Sequence, residues 1–219
     1  MATELTIEEL RNIAIGRLES IVDGDSLHLL ERALIEFAAA ASITSLSTPA
    51  IDRTMANAFS LGATPAQLQE MISLVAGLGV HALMITESRI IAAAERAGEP
   101  VELTLTEQQQ SLWNRHVGDN PYWEKFEHYS PGFLRAMLRL SPAQFEAFFT
   151  FCAVPWRGKT VSAATKELAA IACDSSPSHR FLPGFLFHLE TAISMGIGRR
   201  AILETLDIAA STPVHQGTR

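Results

Sequence analysis

An all-α fold is what this chain predicts, on three observations. Apolar residues recur at three- and four-residue spacing along almost all of it, and no segment sustains the alternation of a half-buried strand. Pro and Gly stand at the ends of these periodic runs. The third observation is an internal repeat: at an offset of 134 residues, Ala33–Gly77 matches Glu167–Ser211 at nine of 45 positions, among them Pro49/Pro183, Gly62/Gly196 and Glu70/Glu204. With 219 residues, 47% of them hydrophobic, the chain is long enough for one large domain or two small ones.

Each element has its own signal. Thr6 with Glu9 reads as a capping box opening a helix to about Ile21, closed by Gly24. A long apolar helix spans about Leu27 to Ser42. Thr48-Pro49 and Thr64-Pro65 are cap-plus-proline pairs that start helices ending near Leu61 and Gly77. Leu78 to Ala97 continues as a helix closed by Gly98 and Pro100, and the polar stretch 98–105 is the expected linker between an N-terminal helical repeat, 1–99, and a C-terminal one, 106–219. Thr106 caps EQQQSLWNRHV, and short helices rich in Phe and Trp follow from Tyr122, Ser130-Pro131 and Ser141-Pro142. Pro155, Trp156, Arg157 and Gly158 turn the chain into a helix after Ser162, with another from Pro183 to Met195 and a last one holding Glu204.

In the second copy, three ionisable side chains interrupt otherwise apolar helical sequence. Where it has Glu167, His179 and His188, the first copy has Ala33, Ser45 and Thr54, so one half alone carries chemistry. His188 shares a helical stripe with Phe185, Ala192 and Met195 and should be largely buried. A buried imidazole needs a partner that fixes its tautomer, and Glu167, at the margin of the apolar face of its helix, is the candidate. His179 and Arg180 lie in the polar loop between Asp174 and Gly184, where substrate contacts concentrate, and Arg180 could receive a carboxylate through two parallel hydrogen bonds. Asp174, Ser175, Ser176 and Ser178 read as helix-end and turn residues, while Trp156, Phe181 and Phe185 are the expected pocket walls. The spacings of 12 and nine residues between Glu167, His179 and His188 match no short metal-ligand motif, so no metal is expected.

KELAAIA at Lys166–Ala172, FLFHLETA at Phe185–Ala192 and the run from Gly196 to Glu204 resemble the Glu-bearing helix, the His-bearing helix and the following turn of the carboxymuconolactone decarboxylase-like family, which includes alkyl hydroperoxidase D-type proteins. The resemblance covers about residues 25–97 and 120–211 and implies tandem alkyl hydroperoxidase D-like helical repeats packed as a pseudo-dimer. It also implies a homo-oligomer, here a trimer of two-unit chains. In the hydroperoxidase branch a Cys-x-x-Cys pair precedes the His by seven and four residues, positions held here by Phe181 and Gly184. Both thiols are missing, which argues against thiol peroxidase chemistry. The resemblance then implies a lyase that needs no cofactor, acts on a small carboxylate or lactone and uses His188 as general acid/base, supported by Glu167 and His179. The same groups would serve an isomerase, hydratase or lactone hydrolase, and the scaffold could equally be a non-catalytic oligomeric ligand-binding protein.

Composition removes other classes. The formal charge of −7 and the lack of a dense Lys/Arg run argue against a nucleic-acid or anionic-membrane surface. No apolar window of about 20 residues is expected to span a membrane, and the N-terminal sequence lacks a basic region followed by an apolar one, so a cytoplasmic protein is expected. Cys152 and Cys173, each in an apolar run, read as buried thiols.

Overall fold

The computed structural model describes residues 4–99 and 101–217, and these form helices with no strand. In chain order the helices are α1 (Ile7–Arg17), α2 (Leu29–Ala41), α3 (Thr48–Ser60), α4 (Pro65–Val75), a 3-10 segment (Ala76–Val80), α5 (His81–Arg96), α6 (Glu107–His116), α7 (Pro121–Tyr129), α8 (Phe133–Leu140), α9 (Pro142–Cys152), the single turn α10 (Val154–Arg157), α11 (Ala163–Asp174), α12 (Leu182–Ser194) and α13 (Arg199–Ser211). Most starts follow from the side chain before the helix. Thr6, Thr64 and Thr106 complete capping boxes with Glu9, Gln67 and Gln109, while Ser141 and Ser162 each accept a backbone N–H of the first turn.

Local differences from expectation have local causes. α1 stops at Arg17, and the chain passes through a turn before Gly24. His28, not a hydroxyl residue, caps α2: its Nδ1 accepts from Leu30 N–H, and Glu31 reaches back to its backbone. The cap of α3 is Ser47, with Thr48 already helical. The expected helix from Leu78 begins as the tighter 3-10 segment, and Pro100, expected to close it, lies outside the described residues. Pro65–Arg96 is long and apolar enough to cross a membrane by length and composition, contrary to expectation; α4 ends inside it at Val75.

The helices gather into two compact units. One combines the chain through Ala76 with the chain from Pro155, and the other spans Gly77–Val154. The division therefore falls at 76/77 and 154/155 rather than in the 98–105 stretch, because α2 and α4 pack against α11 across a long separation in sequence. The Gly77–Val154 unit is built on α8, whose Phe133, Leu134, Met137 and Leu138 meet Phe145 and Phe148 of α9 and Leu112 of α6. Several of its aromatic rings meet edge to face, as in Phe133–Phe148 at 5.6 Å between centroids.

In the other unit the backbone recurs at an offset of 134. α3 and α12 begin and end 134 residues apart, Thr48/Leu182 and Ser60/Ser194, and α2 and α11 begin at Leu29 and Ala163. The loops repeat bond by bond. Ser47 N–H donates to Ala40 O at 3.3 Å and Phe181 N–H to Asp174 O at 2.7 Å; Ser45 N–H donates to Ser42 O and His179 N–H to Ser176 O. Leu46 (φ 41°) and Arg180 (φ 48°), the described non-glycine residues with positive φ, are also 134 apart. Packing follows the same exchange: α2 touches α3, α4 and α13, and α11 touches α12, α13 and α4.

Each matched glutamate clamps the opposite copy. Glu204 accepts from Leu27 N–H at 3.2 Å and pairs with Arg32, while Glu70 accepts from Thr160 N–H at 3.1 Å and pairs with Lys166, the residue 134 beyond Arg32. The two clamps differ in burial. Lys166 and Glu70 side chains are 2% and 7% exposed, against 37% and 22% for Arg32 and Glu204. Gly158 makes room for the buried clamp, since a Cβ there would stand 2.5 Å from the Glu70 carboxylate, and its carbonyl accepts from Lys166 Nζ at 3.2 Å. Removing one partner of a buried pair leaves an uncompensated charge, so Lys166→Ala should cost about 3–5 kcal/mol. Arg32→Ala, at the equivalent but more exposed position, should cost about 0–1 kcal/mol. Denaturant midpoints of the two variants measure this asymmetry.

Candidate active site

α11 and α12 form a helical hairpin and carry the site between them. Ser162 starts α11 by accepting from Thr165 N–H at 3.0 Å; Ser175 ends it, and the bond from Phe181 N–H back to Asp174 O closes the loop and sets the entry of α12 at Leu182-Pro183. This hairpin brings Glu167 and His188 together although 21 residues separate them. His188 Nδ1 lies 2.7 Å from Glu167 Oε2, with the carboxylate buried and the imidazole partly exposed. A carboxylate at that distance selects the tautomer in which Nδ1–H donates to it and Nε2 carries the lone pair.

The other expected residues take varied places. His179 stacks on Phe181 with ring centroids 5.5 Å apart, and burial lowers its pKa, favouring the neutral imidazole. Arg180 forms an ion pair with Glu4 at 2.7 Å. Phe185 is fully buried and belongs to the core, whereas Phe181 is nearly so beside His179. Trp156 is 38% exposed, and Lys166 Nζ lies 5.9 Å from its ring centre. Met195, expected on the buried stripe of His188, is exposed.

Sequence reasoning passed over Asp174. It closes α11 as a turn residue would, but its side chain is buried, and His179 Nε2 stands 3.8 Å from Oδ1. Burial pushes its carboxyl up to about 7, with the nearby His188 opposing the rise. The available signal was spacing: Glu167 and Asp174 are seven residues apart, two turns along one face of α11. Cys173, on the same helix, is buried with its thiol pKa raised, and Cys152 is raised to about 11, so neither is a ready thiolate.

A solved structure shares this architecture. A protein of Burkholderia xenovorans LB400, provisionally described as a gamma-carboxymuconolactone decarboxylase subunit, matches with a TM-score of 0.71 and 28% sequence identity, over 92% of this chain and 77% of its own. The chain is carboxymuconolactone decarboxylase-like. No protein-family model matches it, and no curated protein does. In this carboxymuconolactone decarboxylase-like chain, then, the described helices place a Glu–His pair and an Asp–His pair within one hairpin and its loop.

The Asp174 carboxyl gives a measurable sign. Its folded-state pKa, about 7, lies above the ordinary 3.8, so between those values the folded chain holds a proton that the unfolded chain has released. This contribution weakens stability as pH rises through that window and is constant above it. Asp174→Asn should therefore gain stability relative to wild type as pH rises from about 4 to 7. Paired denaturant titrations across that range measure the difference in slope.

Proposed function

We propose that the chain is a cofactor-independent lyase that decarboxylates a small carboxylated lactone or a related carbonyl acid by general acid–base catalysis. The observation that carries this reading is the 2.7 Å contact between Glu167 and His188 on adjacent, largely buried helices. Loss of carbon dioxide from such a substrate leaves an electron pair that spreads into the lactone carbonyl as a dienolate, and a carbon must then be protonated. The site needs a positioned proton source, a donor to the developing oxyanion and restricted water. His188 supplies the proton transfer, Glu167 holds its ring and supports the imidazolium, and His179, kept neutral by burial, donates to the oxyanion. The decarboxylase description of the similar Burkholderia protein supports the reaction class. Arg180 is the carboxylate-binding cation of this scheme and must exchange its Glu4 partner for substrate; Trp156 and Phe181 offer apolar walls. We further propose a cytoplasmic homotrimer, and light scattering at micromolar concentration should return three times the chain mass.

The test is a mass-spectrometric panel of carboxylated lactones, β-keto acids and enoyl-lactones, incubated with wild type and His188→Ala. Wild type should release carbon dioxide from at least one of them, and the folded variant should be slower by about 100- to 10,000-fold. A mass-neutral or hydrated product that depends on His188 would keep the site and change the reaction class. Turnover unaffected by the substitution would remove the assignment.

A further inference from the structure

The two copies in the unit that holds the site share a backbone, so residues 134 apart can be compared as if one scaffold had been furnished twice. Ala33, Ser45 and Thr54 stand opposite Glu167, His179 and His188. A fourth difference is Ala40 opposite Asp174, and a fifth runs the other way, with Ala50 opposite Gly184. The last two are one physical change. A Cβ at Gly184 would overlap Asp174 Oδ2, stand 3.1 Å from its Cγ and come within 2.9 Å of Phe181 Cδ1, so the glycine clears the space that the carboxyl fills and lets the Phe181 ring lie against the same turn. In the silent copy neither the carboxyl nor the space exists: Ala40 and Ala50 are both buried.

Glycine loses more backbone freedom than alanine on entering a helix, and burying a carboxyl group is costly as well. Packing alone is met more simply by the alanine pair that the same chain uses in its other half. Gly184 is also one turn before His188 on α12, so the carboxyl that fills its place lies beside the imidazole on the same face. Glu167 reaches that imidazole from two turns earlier on α11, and His179 stands beyond Asp174.

We infer that Asp174 is a positioning residue of the site, acting through the His188 imidazole as a second carboxyl group beside Glu167, and that Gly184 is present to admit it. Glu167 fixes Nδ1, while Asp174 shapes the polar surroundings of the rest of the ring. Its buried environment, which favours the protonated carboxyl, differs from that of a paired carboxylate, and two carboxyl groups in contrasting surroundings are how one site divides acid and base roles. This inference rests on reading His188 as the acid–base group.

The test rebuilds the silent copy inside the working one. Gly184→Ala alone should destabilise the chain, and Asp174→Ala combined with Gly184→Ala, which recreates the Ala40/Ala50 pair, should recover the part of the denaturation midpoint lost to the Asp174 overlap, the Phe181 ring shifting to admit the new methyl group. That folded double variant should still turn over at least about tenfold more slowly, and nitrogen-15 spectra should show altered His188 ring shifts with Glu167 in place. Asp174→Asn, which keeps the shape, should alter the same ring signals. Either variant, folded, with the His188 signals and the turnover of wild type would overturn the inference and make Asp174 a packing residue. If His188→Ala keeps full activity, the functional reading fails, and the ring spectra alone then decide whether Asp174 acts on His188.

Discussion

Ten consecutive residues of α11, Thr165 to Asp174, are buried, and the organisation of the site follows from that constraint. A helix with no solvent face cannot carry an ionisable side chain cheaply, because removing a charge from water costs several kcal/mol unless it is paired and hydrogen-bonded. α11 nonetheless carries Lys166, Glu167 and Asp174. Each is answered differently: Lys166 by Glu70 of α4, Glu167 by His188 of α12, and Asp174 by burial that favours its protonated carboxyl, with His179 of the adjoining loop 3.8 Å away. Thr165 completes the set, donating to Glu31 of α2 at 3.1 Å. The helix is held by its polar groups on several sides, and its apolar residues fill the gaps between them.

Small residues let this happen. α2 contributes Ala33, Ala38, Ala39 and Ala40 to the core, and α11 contributes Ala169, Ala170 and Ala172. Short side chains allow the helices to approach, and the polar partners then lie within hydrogen-bond reach of a buried backbone. Gly158 and Gly184 extend the same logic, each standing where a methyl group would collide with a buried carboxyl group. A recurring backbone with unequal furnishing also separates scaffold from chemistry. The positive φ of Arg180 invites a functional explanation, yet Leu46 adopts the same conformation in the copy that lacks counterparts of Glu167, His179 and His188, so the strained turn belongs to the loop design. The Glu167–His188 contact has no such counterpart, since Ala33 cannot form it and Thr54 turns its hydroxyl to Ala50 O.

The family resemblance and the geometry support one another at different points. Similarity to the Burkholderia protein extends over most of this chain and speaks for the helical architecture. The residues support the proposed kind of step: a partly exposed imidazole oriented by a buried carboxylate is suited to moving protons next to a carbonyl. Neither cysteine has the low pKa or exposure that thiol chemistry requires.

What the sequence determined by itself was whatever depends on neighbours in the chain. Thr6, Thr64, Thr106, Ser141 and Ser162 mark helix starts because a cap is a contact across two or three residues. The 134-residue offset was legible for the same reason, as turn residues must recur wherever a backbone recurs, and it exposed Glu167, His179 and His188 as departures from a template. His28 was missed as a cap because imidazole rarely serves there. Tertiary structure alone decided the rest. Whether Asp174 ends a helix harmlessly or lies buried beside two histidines depends on how α12 packs, and whether Lys166 is a surface charge or half of a buried clamp depends on Glu70, 96 residues away. Burial and the pairing of distant charges are set by which helix faces meet, and no local sequence signal encodes that choice.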